Sequence, residues 1–177
     1  IYKYSTPLRN HQIQIWVCSA GYGLINIDSK LKPYSATFSK NHIDSVRKSA
    51  SFPSPSKVHE QWWNQITTSD ILGMDSPKSI RELMINSPSD TFLFCLSDNY
   101  LRSVGQDLSQ GIESVLDPEN VLIVSSGHKE TDKFSNYQIP SNATLAKYLG
   151  GSLNSLNTRV ARMMIRGEPD YPLRLTI

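Results

Sequence analysis

The chain lacks any apolar run approaching the roughly twenty residues that a bilayer-spanning helix needs, which excludes such a helix and sets the expectation of a soluble, cytoplasmic protein with no membrane partner. Cysteine is scarce: Cys18 and Cys95 are the only two. Each lies inside an apolar run, so a disulfide framework is excluded and both read as free, buried thiols in a reducing compartment. The four histidines, His11, His42, His59 and His128, are scattered and match no metal-ligand spacing. Neither a metal nor another cofactor is called for. An excess of one charge is missing too, with 18 Lys and Arg against 16 Asp and Glu for a net +2. A generally basic nucleic-acid coat is therefore excluded, and phosphate contacts require a local cluster. The first residue is Ile1 rather than Met and no basic-then-apolar leader follows. The reading is a piece of a longer protein without a signal peptide.

What is present fits one α/β domain over residues 1–177, since 177 residues can bury a core without staples. Three short apolar runs dominate: Gln14-Ile15-Trp16-Val17-Cys18, Thr91-Phe92-Leu93-Phe94-Cys95-Leu96 and Asn120-Val121-Leu122-Ile123-Val124. None alternates with polar residues, the pattern of strands buried on both faces, so all three are expected as central parallel strands of a three-layer, Rossmann-like sandwich. Between the second and third runs, Leu101, Val104, Leu108, Ile112 and Val115 repeat at helical spacing over Asp98 to Val115, behind Ser97 or Asp98 as N-cap. A second helix is expected over Ser152 to Arg166, and shorter ones at His42 to Ser49, Lys57 to Ile66 and Pro77 to Ile85. The long stretch between the first two runs carries Pro33, Pro53, Pro55, Pro77 and Pro88. It reads as a lid-like insertion over about residues 39–90, with 49–56 an exposed loop.

Each apolar run ends in a serine and a small or polar turn: Ser19-Ala20-Gly21-Tyr22-Gly23, Ser97-Asp98-Asn99-Tyr100 and Ser125-Ser126-Gly127-His128. Ligands of open α/β sheets bind outside the carboxyl ends of strands, so the three turns are expected on one edge, forming one pocket. Serines also cap helices and glycines also make turns without any ligand. Gly21 and Gly23 allow close backbone approach, and the Tyr22 ring between them suits stacking on a base. Gly150-Gly151-Ser152, expected to open directly into the last helix, reads as an anion cradle, with Asn154, Asn157 and Arg159 in the first two turns holding phosphate. A capped, solvated helix face explains the same residues.

For acid/base chemistry the candidates are Asp98, placed directly after a buried strand, and His128, which titrates near neutrality. Asp98 reads equally as a cap and His128 as a solvated loop residue. A Ser19, His128, Asp98 triad is possible on paper, but neither strand-end serine sits in the G-x-S-x-G elbow. Trp62 and Trp63 are adjacent on a helix and diverge by about 100°, so one packs and the other is free to cover the insertion or meet a protein partner.

Ser19-Ala20-Gly21-Tyr22-Gly23-Leu24-Ile25, with Lys32-Pro33-Tyr34-Ser35-Ala36-Thr37-Phe38 and Tyr4-Ser5-Thr6-Pro7-Leu8, resembles an uncharacterised bacterial and phage family marked by a serine-alanine-small-tyrosine-glycine-leucine turn after a strand. The likeness covers about the first quarter of the chain. Leu96-Ser97-Asp98-Asn99-Tyr100 and the Gly150-to-Arg159 block fit more loosely. More distantly, the pattern is similar to the glycosylase-like domain of tRNA-guanine transglycosylase relatives such as archaeosine synthase. The family usually begins with a strand carrying a cysteine and lysine turn, and this chain starts after it. The resemblance implies an α/β domain acting near nucleobases, nucleotides or modified nucleic acid, often in phage defence, and adds Tyr34 and Thr37 to the pocket. The leading expectation is glycosidic chemistry at a purine-like base, with Asp98 as base or oxocarbenium stabiliser, His128 as the next titratable group and Tyr22 as stacking platform. The rival is a non-catalytic module binding nucleic acid or protein in a larger complex.

Overall fold

The computed structural model describes residues 12–49, 57–69, 77–125, 132–141, 143–150, 152 and 155–166. The first apolar run forms β1 (Trp16–Ser19), which turns back into β2 (Gly23–Asn26) as an antiparallel pair. The expectation that this run joins one central parallel sheet is therefore corrected: β1 and β2 are a separate two-stranded sheet. A three-residue turn joins them. The Ser19 hydroxyl accepts from the amides of Gly21 and Tyr22, both at 3.2 Å, and Gly23 adopts φ 78°, a left-handed conformation that suits glycine.

The other two runs pair in parallel as expected, but only the third is central and buried; the second is an edge strand of the described sheet and partly buried. β3 (Phe92–Cys95) and β4 (Val121–Ser125) are parallel neighbours, and β5 (Gln138–Pro140) lies parallel on the far side of β4. Every residue of β4 is buried. Val121 and Ile123 join one apolar cluster with Leu101, Val104 and Leu108, while Leu122 and Val124 join another with Leu145, Leu156 and Val160. Opposite faces of the strand thus lie against different helices, which is why its sequence does not alternate.

α4 (Asp98–Ile112) connects β3 to β4, and its apolar stripe faces the first cluster. Ser97 takes the N-cap position but makes no side-chain cap bond. Asp98 is the first helical residue, so the reading of Asp98 as N-cap is corrected. α1 (Val46–Ser49), α2 (Val58–Thr68) and α3 (Ile80–Asn86) come from the expected insertion. Far from forming a lid, they place Val46, Trp63, Ile66, Ile80 and Met84 in the same cluster as α4. The physical reason is their apolar content, since α4 alone does not cover these side chains. α3 opens on Ser79, whose hydroxyl accepts from Glu82 N at 3.0 Å, while Glu82 Oε2 accepts from Lys78 N at 2.8 Å. At the α3–α4 crossing a Cβ on Gly111 would lie 2.6 Å from Met84 Sδ, so a bare glycine sets how closely the helices approach.

α5 (Ala143–Leu149) and α6 (Leu156–Arg166) supply the second cluster. α6 begins later than the expected Ser152. The exposed loop at 49–56 falls largely, and the extended C-terminal stretch 168–177 wholly, outside the described residues. The fold is mixed α/β, with a three-stranded parallel sheet, packed helices and a small antiparallel sheet. No described helix is long and apolar enough to cross a membrane.

Candidate functional site

Ser97 and Ser125 end adjacent parallel strands, tied by the Leu96 amide donating to the Val124 carbonyl at 3.2 Å. Ser19 ends a strand of the other sheet, so the three turns do not share one edge. Aromatic side chains gather around the Ser19 turn instead. The Tyr34 ring covers Gly21, where an added Cβ would fall 2.3 Å from Cδ2, and its hydroxyl accepts from Ser19 Oγ at 2.8 Å. Tyr22 meets Tyr34 edge-on at 5.1 Å between centroids and donates its hydroxyl to the Lys32 carbonyl at 3.0 Å. Tyr100, in the first turn of α4, lies within electrostatic reach of Tyr34 and Cys18. It meets Phe38 at 5.1 Å, and Phe38 meets His59 of α2 at 5.3 Å. The rings thus form an aromatic array of two groups, Tyr22 with Tyr34 at the hairpin turn and Tyr100 with Phe38 and His59 at the start of α4. Tyr34, 47% exposed, brings it to the surface.

Burial is the main cause of the perturbed groups here. It pushes the Tyr100 hydroxyl above its ordinary range, with Tyr34 and then Cys18 adding to the effect. It also pushes the Cys18 thiol up to about 12, assisted by the Asp107 carboxylate. Cys18 is thus the inert thiol expected, but Cys95 is exposed at the end of β3, 3.9 Å from Thr158 Oγ1, and is not a core residue. It is the last residue of a strand at the edge of the described sheet, which accounts for the difference.

His59 is held below its ordinary 6.5, first by burial and then by Arg47 and Lys40, and its Nε2 has no hydrogen-bond partner among the described residues. A depressed folded value means that the unfolded chain takes up this proton first. The associated stability is present above pH 6.5 and is lost as pH falls through the lower folded value. The urea midpoint is expected to fall between pH 7.5 and pH 5, with His59→Gln flattening that slope. An equal acid slope in His59→Gln would assign it to other groups.

Asp98 has one carboxylate oxygen on Arg102 at 2.8 Å, while Oδ1 is buried without a partner among the described residues. Ser97 is exposed, and the Asn99 carbonyl accepts from Ser103 Oγ at 2.7 Å. Ser125 is 3% exposed and already bonded within the protein. Thr37 is occupied locally: its amide donates to Asp44 O and its Oγ1 accepts from Ser39 N. Asn157 is a structural tie, donating to Leu96 O at 2.8 Å and accepting from the Ser141 hydroxyl. Ser126, Gly127, His128, Gly151 and Asn154 lie outside the described residues.

The phosphate-cradle expectation is corrected at Gly150, which follows the C-terminus of α5 with φ 66°. A helix C-terminus offers carbonyls rather than amides. Arg159 meets them, donating to Leu149 O at 3.4 Å and Ser152 O at 2.7 Å. Its guanidinium serves the turn. Trp63 is fully buried and donates to Asp107 Oδ2 at 2.8 Å, and half-buried Trp62 donates to Ala20 O at 2.7 Å, supporting the hairpin turn from beneath. Both indole N–H groups are thus used within the chain. Sequence reasoning missed Phe38, His59 and Asp107. Only Asp107 carried a signal, a carboxylate beside Leu108 on the apolar side of a helix.

Among the described residues no group of three or more His, Cys, Asp or Glu is placed to hold a metal ion. Comparison of the chain with protein-family models, with curated proteins and with solved structures gave no match.

Proposed function

We propose that the chain is a Rossmann-like, three-layer domain that binds a nucleobase or nucleotide on the Tyr22, Tyr34 and Tyr100 array. The observation that carries this reading is the Tyr22–Tyr34 ring pair, brought to the surface by Tyr34 at 47% exposure, with Tyr100 in the first turn of α4. Aromatic faces stack on bases, worth about 1 to 3 kcal/mol per base. The neighbouring loops add cation: residues 19–49 contain Lys30, Lys32, Lys40, Arg47 and Lys48 against Asp28 and Asp44. That local excess suits a phosphate, although the chain as a whole is nearly neutral. The resemblance of the Ser19 to Ile25 turn to a nucleic-acid-linked phage and bacterial family points the same way.

A catalytic reading, cleavage or exchange of an N-glycosidic bond, is favoured by Asp98. It stands just beyond the carboxyl end of β3, with Oδ2 on Arg102 and a buried Oδ1 that has no partner among the described residues, and a carboxylate so placed is the group that would stabilise an oxocarbenium-like centre.

The test is calorimetric titration with purine and pyrimidine nucleotides and a short single strand. Tyr34→Ala is expected to weaken binding about ten-fold or more, the loss of one stacked base, with melting unchanged because Tyr34 is 47% exposed. No binding by any of these ligands, or equal binding by Tyr34→Ala, rejects the platform. Release of free base by the wild type and its loss in Asp98→Asn separates enzyme from binding module.

A further inference from the structure

A serine hydroxyl has one proton and two lone pairs. At Ser19 the Gly21 and Tyr22 amides take both lone pairs, each at 3.2 Å, so the proton goes to the Tyr34 oxygen at 2.8 Å. Ser19 is 2% exposed, and the direction of this short chain is fixed from the turn outward. The consequence lies at its end. The Tyr34 oxygen accepts from Ser19, and its own proton has no acceptor among the described residues, while the side chain is 47% exposed and open to an acceptor from solution. The neighbouring phenol differs, since Tyr22 donates to the Lys32 carbonyl at 3.0 Å. That bond also seats the Lys32 backbone beside the ring pair. The Lys32 side chain is exposed, and no described carboxylate pairs with it.

We propose that the Tyr34 hydroxyl gives this proton to a phosphate oxygen, so that the ligand of the tyrosine platform is a phosphorylated nucleotide rather than a free base or nucleoside; the proposal rests on the platform reading. A phenol O–H lies in the plane of its ring, whereas a base stacked on that ring lies a layer above it. The stacked base therefore does not take the proton, and the acceptor is in the sugar or phosphate that leaves its edge. A ribose hydroxyl both donates and accepts, and suits a phenol turned either way. A phosphate oxygen only accepts, so a hydroxyl held as a donor distinguishes it. Each hydrogen bond in a chain polarises the next, and the turn amides thereby strengthen the outermost donor. Lys32 adds the positive charge that a phosphate calls for and a nucleoside does not.

Calorimetric titration of the whole chain with adenosine and uridine, each with and without its monophosphate, reads the difference. Tyr34→Phe keeps the ring and removes the donor. Monophosphate binding is expected to weaken about ten-fold, the worth of one hydrogen bond to a charged group, with nucleoside binding unchanged. Lys32→Gln leaves the hydrogen bonds of the turn in place and is expected to weaken monophosphate binding alone, about three-fold; if Tyr34→Phe melts early because Ser19 has lost its acceptor, Lys32→Gln decides. Undiminished monophosphate affinity in Tyr34→Phe, equal losses of nucleoside and monophosphate in that variant, or a wild type that binds both equally tightly overturns the proposal and leaves the stacking platform standing. A wild type that binds none of these probes, or binds them only as well as Tyr34→Ala does, rejects the platform and the proposal together.

Discussion

Asp107→Ala is expected to cost about 3 to 5 kcal/mol of stability, because it strips three buried or part-buried donors of their common acceptor. The carboxylate is 6% exposed on α4 and joins three helices. Oδ2 accepts from the Trp63 indole on α2 and from Ile80 N, both at 2.8 Å, and Oδ1 accepts from Arg81 N at 3.0 Å. Ile80 and Arg81 open α3, so their amides have no acceptor within that helix. The helix's positive end also favours the buried negative charge. Alanine would leave three donors unsatisfied, each costing about 1 to 3 kcal/mol if water does not reach it. Domains of this size lose about 2 to 4 °C of Tm per kcal/mol, so a fall of about 10 °C is expected by calorimetry. Asp107→Asn keeps one acceptor oxygen and should fall between wild type and alanine. Trp63→Phe combined with Asp107→Asn should cost less than the sum of the two, since both remove the same bond. A melt of Asp107→Ala within a degree or two of wild type would remove the carboxylate from the core's architecture.

Gly21→Ala should abolish the surface part of the aromatic array while sparing the fold. The new Cβ would lie 2.3, 2.7 and 2.9 Å from three carbons of the Tyr34 ring, well inside contact distance. The ring must swing away, and the Ser19 to Tyr34 hydrogen bond goes with it. Because Gly21 is not in the left-handed region, the substitution introduces no backbone strain of its own. Base affinity is expected to fall at least as far as in Tyr34→Ala, about ten-fold or more, with a small change in melting. Tyrosine fluorescence and nucleotide titration on the same samples check both halves. A displaced Tyr34 with undiminished affinity would show that the ring carries no binding energy.

How much of this was legible in the sequence depended on whether the deciding contacts were local. The run at Val121 carried its topology in its composition, because a strand covered on both sides needs apolar residues at every position, while the run at Phe92 reads the same although β3 is a partly buried edge strand of the described sheet. The run at Ile15 looked identical and was misassigned. Continuous hydrophobicity says that side chains avoid water but not which neighbour covers them, and here Trp16 and Cys18 pack on the core while Ile15 and Val17 stay exposed. The Ser-Ala-Gly-Tyr-Gly motif was legible as a turn, while its ring partner, Tyr34, was legible only through the family resemblance. The Gly150 turn was misread by helix end: glycine is common after a C-terminus as well as before an N-terminus. Asp107 and Trp63 are 44 residues apart, and no periodicity connects them.

β4 sends consecutive residues to different neighbours: Val121 and Ile123 to the cluster around α4, Leu122 and Val124 to the cluster around α6. The five-residue strand is therefore the wall shared by two interiors with separate packing. A void opened beneath α6 is felt near α4 chiefly as a displacement of that backbone, against the resistance of its ladder to β3 and β5. Each interior can exchange its side chains largely without regard to the other, provided that the wall stays straight.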